Sequence, residues 1–100
     1  MKKAILLVDN CSKNGVIYRT VLESVGYKVY LASDLQQALY ALKDDALSLV
    51  ISICFLETEK LKKLLSDKKP EIPVWVMNKD ETTSPLSSKE LLDQVRALID

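Results

Sequence analysis

The chain has 100 residues, of which 48% are hydrophobic and 28% are charged, and its 14 basic residues balance its 14 acidic ones. This length makes one domain, residues 1–100, with an ordinary hydrophobic core, and the composition excludes a disordered chain. A neutral chain has no general attraction to nucleic acid or to an anionic membrane, so neither is an expected partner.

The residue types that usually carry metal binding and acid–base catalysis are scarce. The sequence contains no histidine, which removes the commonest metal ligand and the usual general base. The apolar run at 4–8 is too short for a signal-peptide core or a membrane span, and two cysteines without metal-like spacing fit a reducing compartment. We therefore expect a cytoplasmic protein that is not an enzyme and has no cofactor.

The first predicted elements are a buried strand and an amphipathic helix. AILLV (4–8) is a continuous apolar run, typical of a central parallel strand that is buried on both faces. The stretch 12–26 predicts a helix, with Gly26 as the residue that ends it. The apolar face of this helix is predicted to comprise Val16, Ile17, Val21 and Val25.

The second strand and helix have equally clear patterns. YKVYLA (27–32) alternates apolar and polar side chains, as in an edge strand with one wetter face. The capping box Ser33–Gln36 then predicts the start of a helix that ends near Asp44. Its apolar positions recur at helical spacing and are Leu35, Ala38, Leu39 and Leu42.

Two more strands and two more helices complete the pattern. LSLVISICF (47–55) and VWVM (74–77) predict strands, residues 57–67 predict a helix, and the capping box Ser87–Glu90 begins another. Strands that alternate with helices in this way predict a parallel sheet with helices on both faces. The apolar positions of the last helix are Leu91, Leu92, Val95, Leu98 and Ile99.

Five stretches that together cover nearly the whole chain share their pattern with one family. They are KKAILLVDN, LESVGYKVYLASDLQQALYAL, DALSLVISI, EIPVWVM and SSKELLDQVRALI. In these stretches the sequence resembles the receiver domain of bacterial two-component response regulators, of the chemotaxis-regulator type. The resemblance implies a flavodoxin-like α/β fold with three layers, α/β/α, and a four-stranded parallel sheet in the order 2-1-3-4.

A receiver domain has a further helix and strand between its fourth strand and its last helix. In this sequence only five residues lie between Asn78 and Ser84, whereas a helix and a strand need about 11 and about 5 residues on average. The resemblance therefore implies a shortened receiver, in which the family's fourth helix and fifth strand are missing.

The phosphorylation pocket that the resemblance implies is degenerate. Receivers accept a phosphoryl group on an Asp at the end of the third strand, and Ile53 occupies that position, where it can neither accept the group nor bind Mg²⁺. Asp9 remains from the family's acidic pair, beside Asn10, while Asn78 and Ser84 replace the family's hydroxyl residue and lysine. The resemblance thus implies a pseudo-receiver, a phosphorylation-independent module that binds protein.

Two candidate sites accompany this pocket. Asp9 could bind a cation, although one carboxylate supplies few of the oxygen ligands that Mg²⁺ requires. Alternatively, it could cap or hydrogen-bond the loop that follows. Cys11 and Cys54 could form a disulfide or redox pair if their Cα atoms come within about 7 Å, or they could be small buried hydrophobes. The alternative function is therefore a cysteine-based redox protein or a small-ligand binder at the strand ends.

The remaining candidates are surfaces. The basic stretch 60–69 has no interleaved aromatic residue, and it predicts a solvated helix face rather than a nucleic-acid site. Without a fifth strand, VWVM becomes a sheet edge that can pair with another chain. We predict a homodimer, or docking to a sensor kinase or regulator, through this edge and the last helix. The predicted interface residues are Val74, Trp75, Val76, Leu91 and Val95.

Overall fold

The computed structural model describes residues 3–10, 14–53, 57–77 and 87–99, and in these ranges the chain forms four strands and four helices. These alternate along the chain, as the sequence predicts. The strands are β1 (Ala4–Val8), β2 (Lys28–Ala32), β3 (Leu47–Ser52) and β4 (Val74–Val76). The helices are α1 (Asn14–Ser24), α2 (Leu35–Ala41), α3 (Thr58–Lys68) and α4 (Ser88–Ile99).

The four strands form one parallel sheet in the order β2-β1-β3-β4, which confirms the predicted order. β1 pairs with a strand on each side, and its five residues are all buried. A strand with neighbours at both edges and helices over both faces has no contact with water, which explains why AILLV is apolar at every position.

The core consists of two clusters, one on each face of the sheet. Side chains alternate along β1, so that Leu6 packs on one face while Ile5 and Leu7 pack on the other. The first cluster, the α2/α3 core, joins the sheet to Ala38 and Ala41 of α2, to the C-cap residue Leu42, and to Leu61 and Leu65 of α3. The second, the α1/α4 core, joins it to Tyr18 and Leu22 of α1 and to Leu91 and Val95 of α4.

The predicted apolar face of α1 is confirmed only for Val21, which packs against the α1/α4 core. Val16 and Ile17 are 58% and 46% exposed, and Val25 just beyond the helix is 44% exposed. Tyr18 and Leu22 are fully buried in their place. Both sets of residues have helical spacing, and the face that the fold buries is the one that removes the large ring of Tyr18 from water.

The helix ends follow the predicted chemistry, with one shift of register. The N-cap of α2 is Asp34 rather than Ser33, because the Asp34 carboxylate accepts the N–H of Gln37 at 2.8 Å. The side chain of Gln37 reaches back and accepts the N–H of Ser33 at 2.7 Å. After α1, Gly26 has a φ of +99°, a conformation that favours glycine and fits the predicted helix end.

The last helix begins as predicted and changes the predicted interface. The N–H of Glu90 donates to the Ser87 hydroxyl at 3.2 Å, so the capping box is present. Leu91 and Val95 are both fully buried in the α1/α4 core. The prediction that these two residues lie in an interface with another chain is therefore wrong, because the apolar face of α4 packs against the rest of its own chain.

The basic stretch on α3 is a solvated helix face, as predicted. Leu61 and Leu65 turn into the core, while Lys60 pairs with Glu57 at 3.2 Å and Lys62 pairs with Glu59 at 3.8 Å. These are surface pairs, and each is worth less than about 1 kcal/mol. None of the helices in the described ranges is long and apolar enough to cross a membrane.

Candidate functional site

The candidate pocket lies at the carboxyl edge of the sheet, where parallel strands end side by side. Val8 pairs with Ser52, and Ser52 pairs with Val76, so the last residues of three strands form a row. Backbone hydrogen bonds continue one residue further, from the Ile53 N–H to the Val8 carbonyl at 2.8 Å and from the Met77 N–H to the Ser52 carbonyl at 2.9 Å. In open parallel sheets this edge is the usual place for a site.

Ile53, at the end of β3, is a core residue. Its side chain is 1% exposed and belongs to the α1/α4 core together with Ile51, Met77 and Leu91. Burying an isoleucine side chain stabilises a fold by about 1.5–3 kcal/mol. The end of the third strand therefore contributes apolar packing to the fold, and it presents no oxygen ligand at this position.

Asp9, which follows β1, is tied to the start of α1. One oxygen of its half-buried carboxylate, Oδ2, accepts the backbone N–H of Gly15 at 3.0 Å. A carboxylate at a helix N-terminus also interacts favourably with the helix dipole. The structure thus shows a hydrogen bond from the first turn of α1 to Asp9, and the cation alternative stays a prediction.

Gly15 permits this close contact between α1 and the strand ends. A Cβ at Gly15 would lie 2.9 Å from Cδ1 of Leu31 and 3.0 Å from Oδ2 of Asp9. The absence of a side chain therefore lets the first turn of α1 approach the ends of both β1 and β2. No motif in the sequence marks this role, since it depends on residues far apart in the chain.

A hydroxyl pair, formed by the buried Ser52 and the half-buried Thr58, joins β3 to α3. Ser52 is 1% exposed, and its Oγ lies 3.0 Å from Oγ1 of Thr58. A buried hydroxyl without a partner would cost about 1–3 kcal/mol, and this contact satisfies Ser52. The pair holds the first turn of α3 against the strand end, a role that the sequence analysis missed.

Several predicted site residues lie outside the described part of the chain. These are Cys11, Cys54, Asn78 and Ser84, so the cysteine pair remains a prediction. Of the predicted pocket, the structure brings Asp9 and Ile53 to neighbouring strand ends and leaves Asn10 exposed. In the ranges that the structure describes, no three Cys, Asp or Glu side chains form a group that could hold a metal ion.

β4 has the features of a sheet edge. Within the described ranges it pairs with β3 alone, through Val74, Trp75 and Val76. Val74 and Trp75 are half-buried against opposite faces of the core, and Val76 is 42% exposed. The strand therefore presents one apolar side chain and one backbone edge that no described strand covers.

A polar cluster that was not predicted from the sequence lies at the amino edge of the sheet, where β2 and β3 begin. The Asp44 carboxylate accepts the hydroxyl of Tyr30 at 2.6 Å and the backbone N–H of Ala46 at 2.8 Å, and Lys28 Nζ lies 3.3 Å away. The Tyr30 hydroxyl, then the Ala46 N–H and the charge of Lys28, lower the pKa of Asp44 to about 2. The Tyr30 and Asp44 side chains raise the pKa of Lys28 in turn.

A groove lies beside this cluster, between the C-terminal ends of α2 and α3. Its volume is about 660 Å³, and a smaller cavity of about 300 Å³ adjoins it. Tyr40 and Lys43 line both cavities and form the wall between them. The remaining residues of the larger groove are Gln36, Leu39, Leu42, Lys68 and Lys69.

Three solved structures with a similar fold are response regulators. The chain is similar to a response regulator from Thermotoga maritima, with a TM-score of 0.78 and 21% identity over 99% of this chain and 98% of that one. A response regulator receiver domain protein (CheY-like) from Methanospirillum hungatei JF-1 gives a TM-score of 0.78 and 18% identity over 100% of this chain and 95% of that one. A response regulator protein from Burkholderia multivorans gives 0.58 and 16%, over 100% and 97% of the two chains.

These similarities define the fold. The chain has the receiver-domain fold, a flavodoxin-like arrangement of three layers around a parallel sheet, as the sequence analysis predicts. The sequence matches no protein-family model, and no curated protein sequence is significantly similar to it. At identities near 20%, the function must be argued from the side chains of this chain.

Proposed function

We propose that this chain is a phosphorylation-independent protein-interaction module, a pseudo-receiver that takes part in signalling without phosphotransfer. The observation that carries the proposal is Ile53. In the receivers that the sequence resembles, the phosphoacceptor lies at the end of the third strand, and at the corresponding position this chain has an apolar side chain that is buried in the α1/α4 core. A buried isoleucine can neither accept a phosphoryl group nor coordinate Mg²⁺.

The state of Asp9 supports the same proposal. In a phosphotransfer site, the acid after the first strand would be available to a metal ion. In this chain one of its oxygens accepts the Gly15 N–H at 3.0 Å, which makes the residue part of the α1 cap. We further propose that the module has no catalytic role and no cofactor, and that it acts on a protein partner in the cytoplasm.

The proposal is tested by exposing the purified chain to acetyl phosphate and Mg²⁺ and measuring its intact mass. A receiver with an intact acceptor Asp serves as the positive control. We expect the control to gain a phosphoryl group and this chain to remain unmodified. A phosphoryl adduct on this chain that hydroxylamine removes, as it removes acyl phosphates, would show a carboxylate acceptor and would refute the proposal.

The candidate partners are a sensor kinase, a regulator or a second copy of the chain, and we propose a homodimer through β4. An exposed apolar edge strand is a template for pairing with another strand. β4 has an exposed Val76 and no described neighbour beyond β3, and both features support this arrangement. The proposed interface is now confined to Val74, Trp75 and Val76.

Sedimentation velocity over a range of concentrations tests the homodimer. Replacing Val76 by Lys places a charge on the edge, and we expect it to shift the chain towards the monomer. Val16→Lys is the matched control, because Val16 is 58% exposed on α1, and it should leave association unchanged. A wild-type chain that stays monomeric at high concentration would exclude the homodimer while leaving the other partners open.

A further inference from the structure

The groove between α2 and α3 combines an apolar floor with a cationic rim. Leu39 and Tyr40 lie in this groove, and they are 37% and 71% exposed. Exposed apolar side chains that line a concave surface are typical of a binding site. The groove volume of about 660 Å³ accommodates a few amino-acid side chains.

The rim of the groove carries an excess of positive charge. Lys43, Lys68 and Lys69 line the larger cavity, and Lys28 lines the smaller one. In the part of the chain that the structure describes, neither Lys43 nor Lys68 forms an ion pair. Lys43 Nζ lies 5.9 Å from the centre of the Tyr40 ring, where a cation also interacts with the aromatic face.

The negative groups nearby only partly offset this excess. Asp44 is neutralised by Lys28, at 3.3 Å, and Asp45 lies 3.9 Å from Lys69 Nζ. The C-terminal ends of α2 and α3 contribute roughly half a negative charge each. Four lysines against two aspartates and two helix ends leave a net positive rim, which favours a ligand with carboxylates.

The shape of the site favours an extended ligand over a compact one. The two cavities meet at the wall formed by Tyr40 and Lys43. A segment of polypeptide that crosses this wall places side chains in both cavities, while its carboxylates meet the lysines on the rim. A single compact ligand fills only one of the two cavities and makes no contact with the residues that line the other.

We propose that this groove binds an extended acidic segment of a partner protein, in which apolar side chains alternate with Asp or Glu. The inference rests on the proposed function only in taking the partner to be a protein. The groove lies at the amino edge of the sheet, since Lys43 precedes β3 and Lys69 precedes β4. It is therefore separate from the degenerate pocket at the carboxyl edge.

The test titrates the ¹⁵N-labelled chain with a short synthetic peptide of alternating Glu and Leu and follows amide shifts by NMR. We expect salt-sensitive shifts at Leu39, Tyr40, Lys43 and Lys68. The same peptide with Gln in place of Glu is the matched ligand control and should bind much more weakly. An oligothymidylate of similar charge should not compete, because it has no apolar side chains to fill the groove.

Two pairs of substitutions locate the binding. Lys43→Gln with Lys68→Gln removes two rim charges and should weaken binding about tenfold, which corresponds to about 0.7 kcal/mol for each of two surface charge pairs. Lys62→Gln with Lys63→Gln removes two exposed charges from α3 outside the groove and should change binding less than about twofold. Circular dichroism verifies that both variants fold.

Three results would overturn the inference: no charge-dependent shift at millimolar peptide, equal losses in the two double variants, or equal competition by the oligothymidylate. The last would assign the groove to a nucleic acid. These outcomes are independent of the acetyl phosphate experiment, which tests the carboxyl edge alone. A result that refutes peptide binding at the groove can thus be distinguished from a result that refutes the proposed function.

Discussion

Replacing Asp44 by Asn is expected to lower the free energy of unfolding by about 2 kcal/mol at neutral pH. Interactions with Tyr30, Ala46 and Lys28 lower the pKa of the Asp44 carboxyl from 3.8 to about 2. A tenfold change in proton affinity corresponds to about 1.4 kcal/mol, which gives the expected total. The Asp44 side chain is 19% exposed and its partner Lys28 is 56% exposed, so screening by water makes about 2 kcal/mol an upper value.

The direction of the pH dependence follows from the lowered pKa. Because the unfolded chain binds this proton more tightly than the folded chain, the contribution is fully present above about pH 4 and is lost as the pH falls towards about 2. Urea unfolding, followed by circular dichroism at several pH values, measures it. The difference between wild type and Asp44→Asn should be largest at neutral pH and should shrink through this window.

Asp45→Asn is the matched control for this experiment. The Asp45 side chain is fully exposed, and its contact with Lys69 is a surface pair at 3.9 Å. We expect this control to change the free energy of unfolding by less than about 1 kcal/mol at any pH. The reasoning is refuted if the two variants are equally stable at neutral pH, or if the loss in Asp44→Asn persists unchanged near pH 2.

Two further substitutions test the cap and the core. Asp9→Ala should lower the free energy of unfolding by about 1 kcal/mol because the Gly15 N–H loses its acceptor, and Asp9→Asn should recover most of this loss in the same urea experiment. Leu91→Ala should cost about 2–5 kcal/mol because Leu91 is fully buried, whereas Val16→Ala on the exposed side of α1 should cost less than about 0.5 kcal/mol. Similar losses for Leu91→Ala and Val16→Ala would contradict the assignment of the α1/α4 core.

The strands could be predicted because burial on both faces requires apolar residues at every position, and their order could be predicted from the resemblance to receiver domains. The continuous apolar run 4–8 and the alternation of strands with helices determine a parallel sheet almost without further information. The face of α1 could not be predicted in the same way. Two apolar stripes with helical spacing compete there, and the sequence pattern does not decide which of them packs on the sheet.

The same distinction, between local sequence patterns and contacts that form only in the folded chain, applies to the candidate sites. The strand end beside Ile53 was identified from the sequence, and the assignment of Ile53 to the phosphoacceptor position remains a prediction from the resemblance. The Asp44 cluster was not identified, because Tyr30 and Asp44 are 14 residues apart and meet only in the folded chain. Leu91 and Val95 were misassigned for a related reason: an amphipathic stripe predicts burial, and the sequence does not say whether the covering surface belongs to the same chain.

The division of the core by the sheet has an evolutionary consequence. The α2/α3 core and the α1/α4 core share no side chains, so substitutions such as Leu61→Ala and Leu91→Ala should have additive effects on stability. Mutations beneath α2 and α3 can therefore accumulate without repacking the opposite layer. Selection can reshape the lysine-rimmed groove for a new partner while α1 and α4 continue to supply a constant share of the stability.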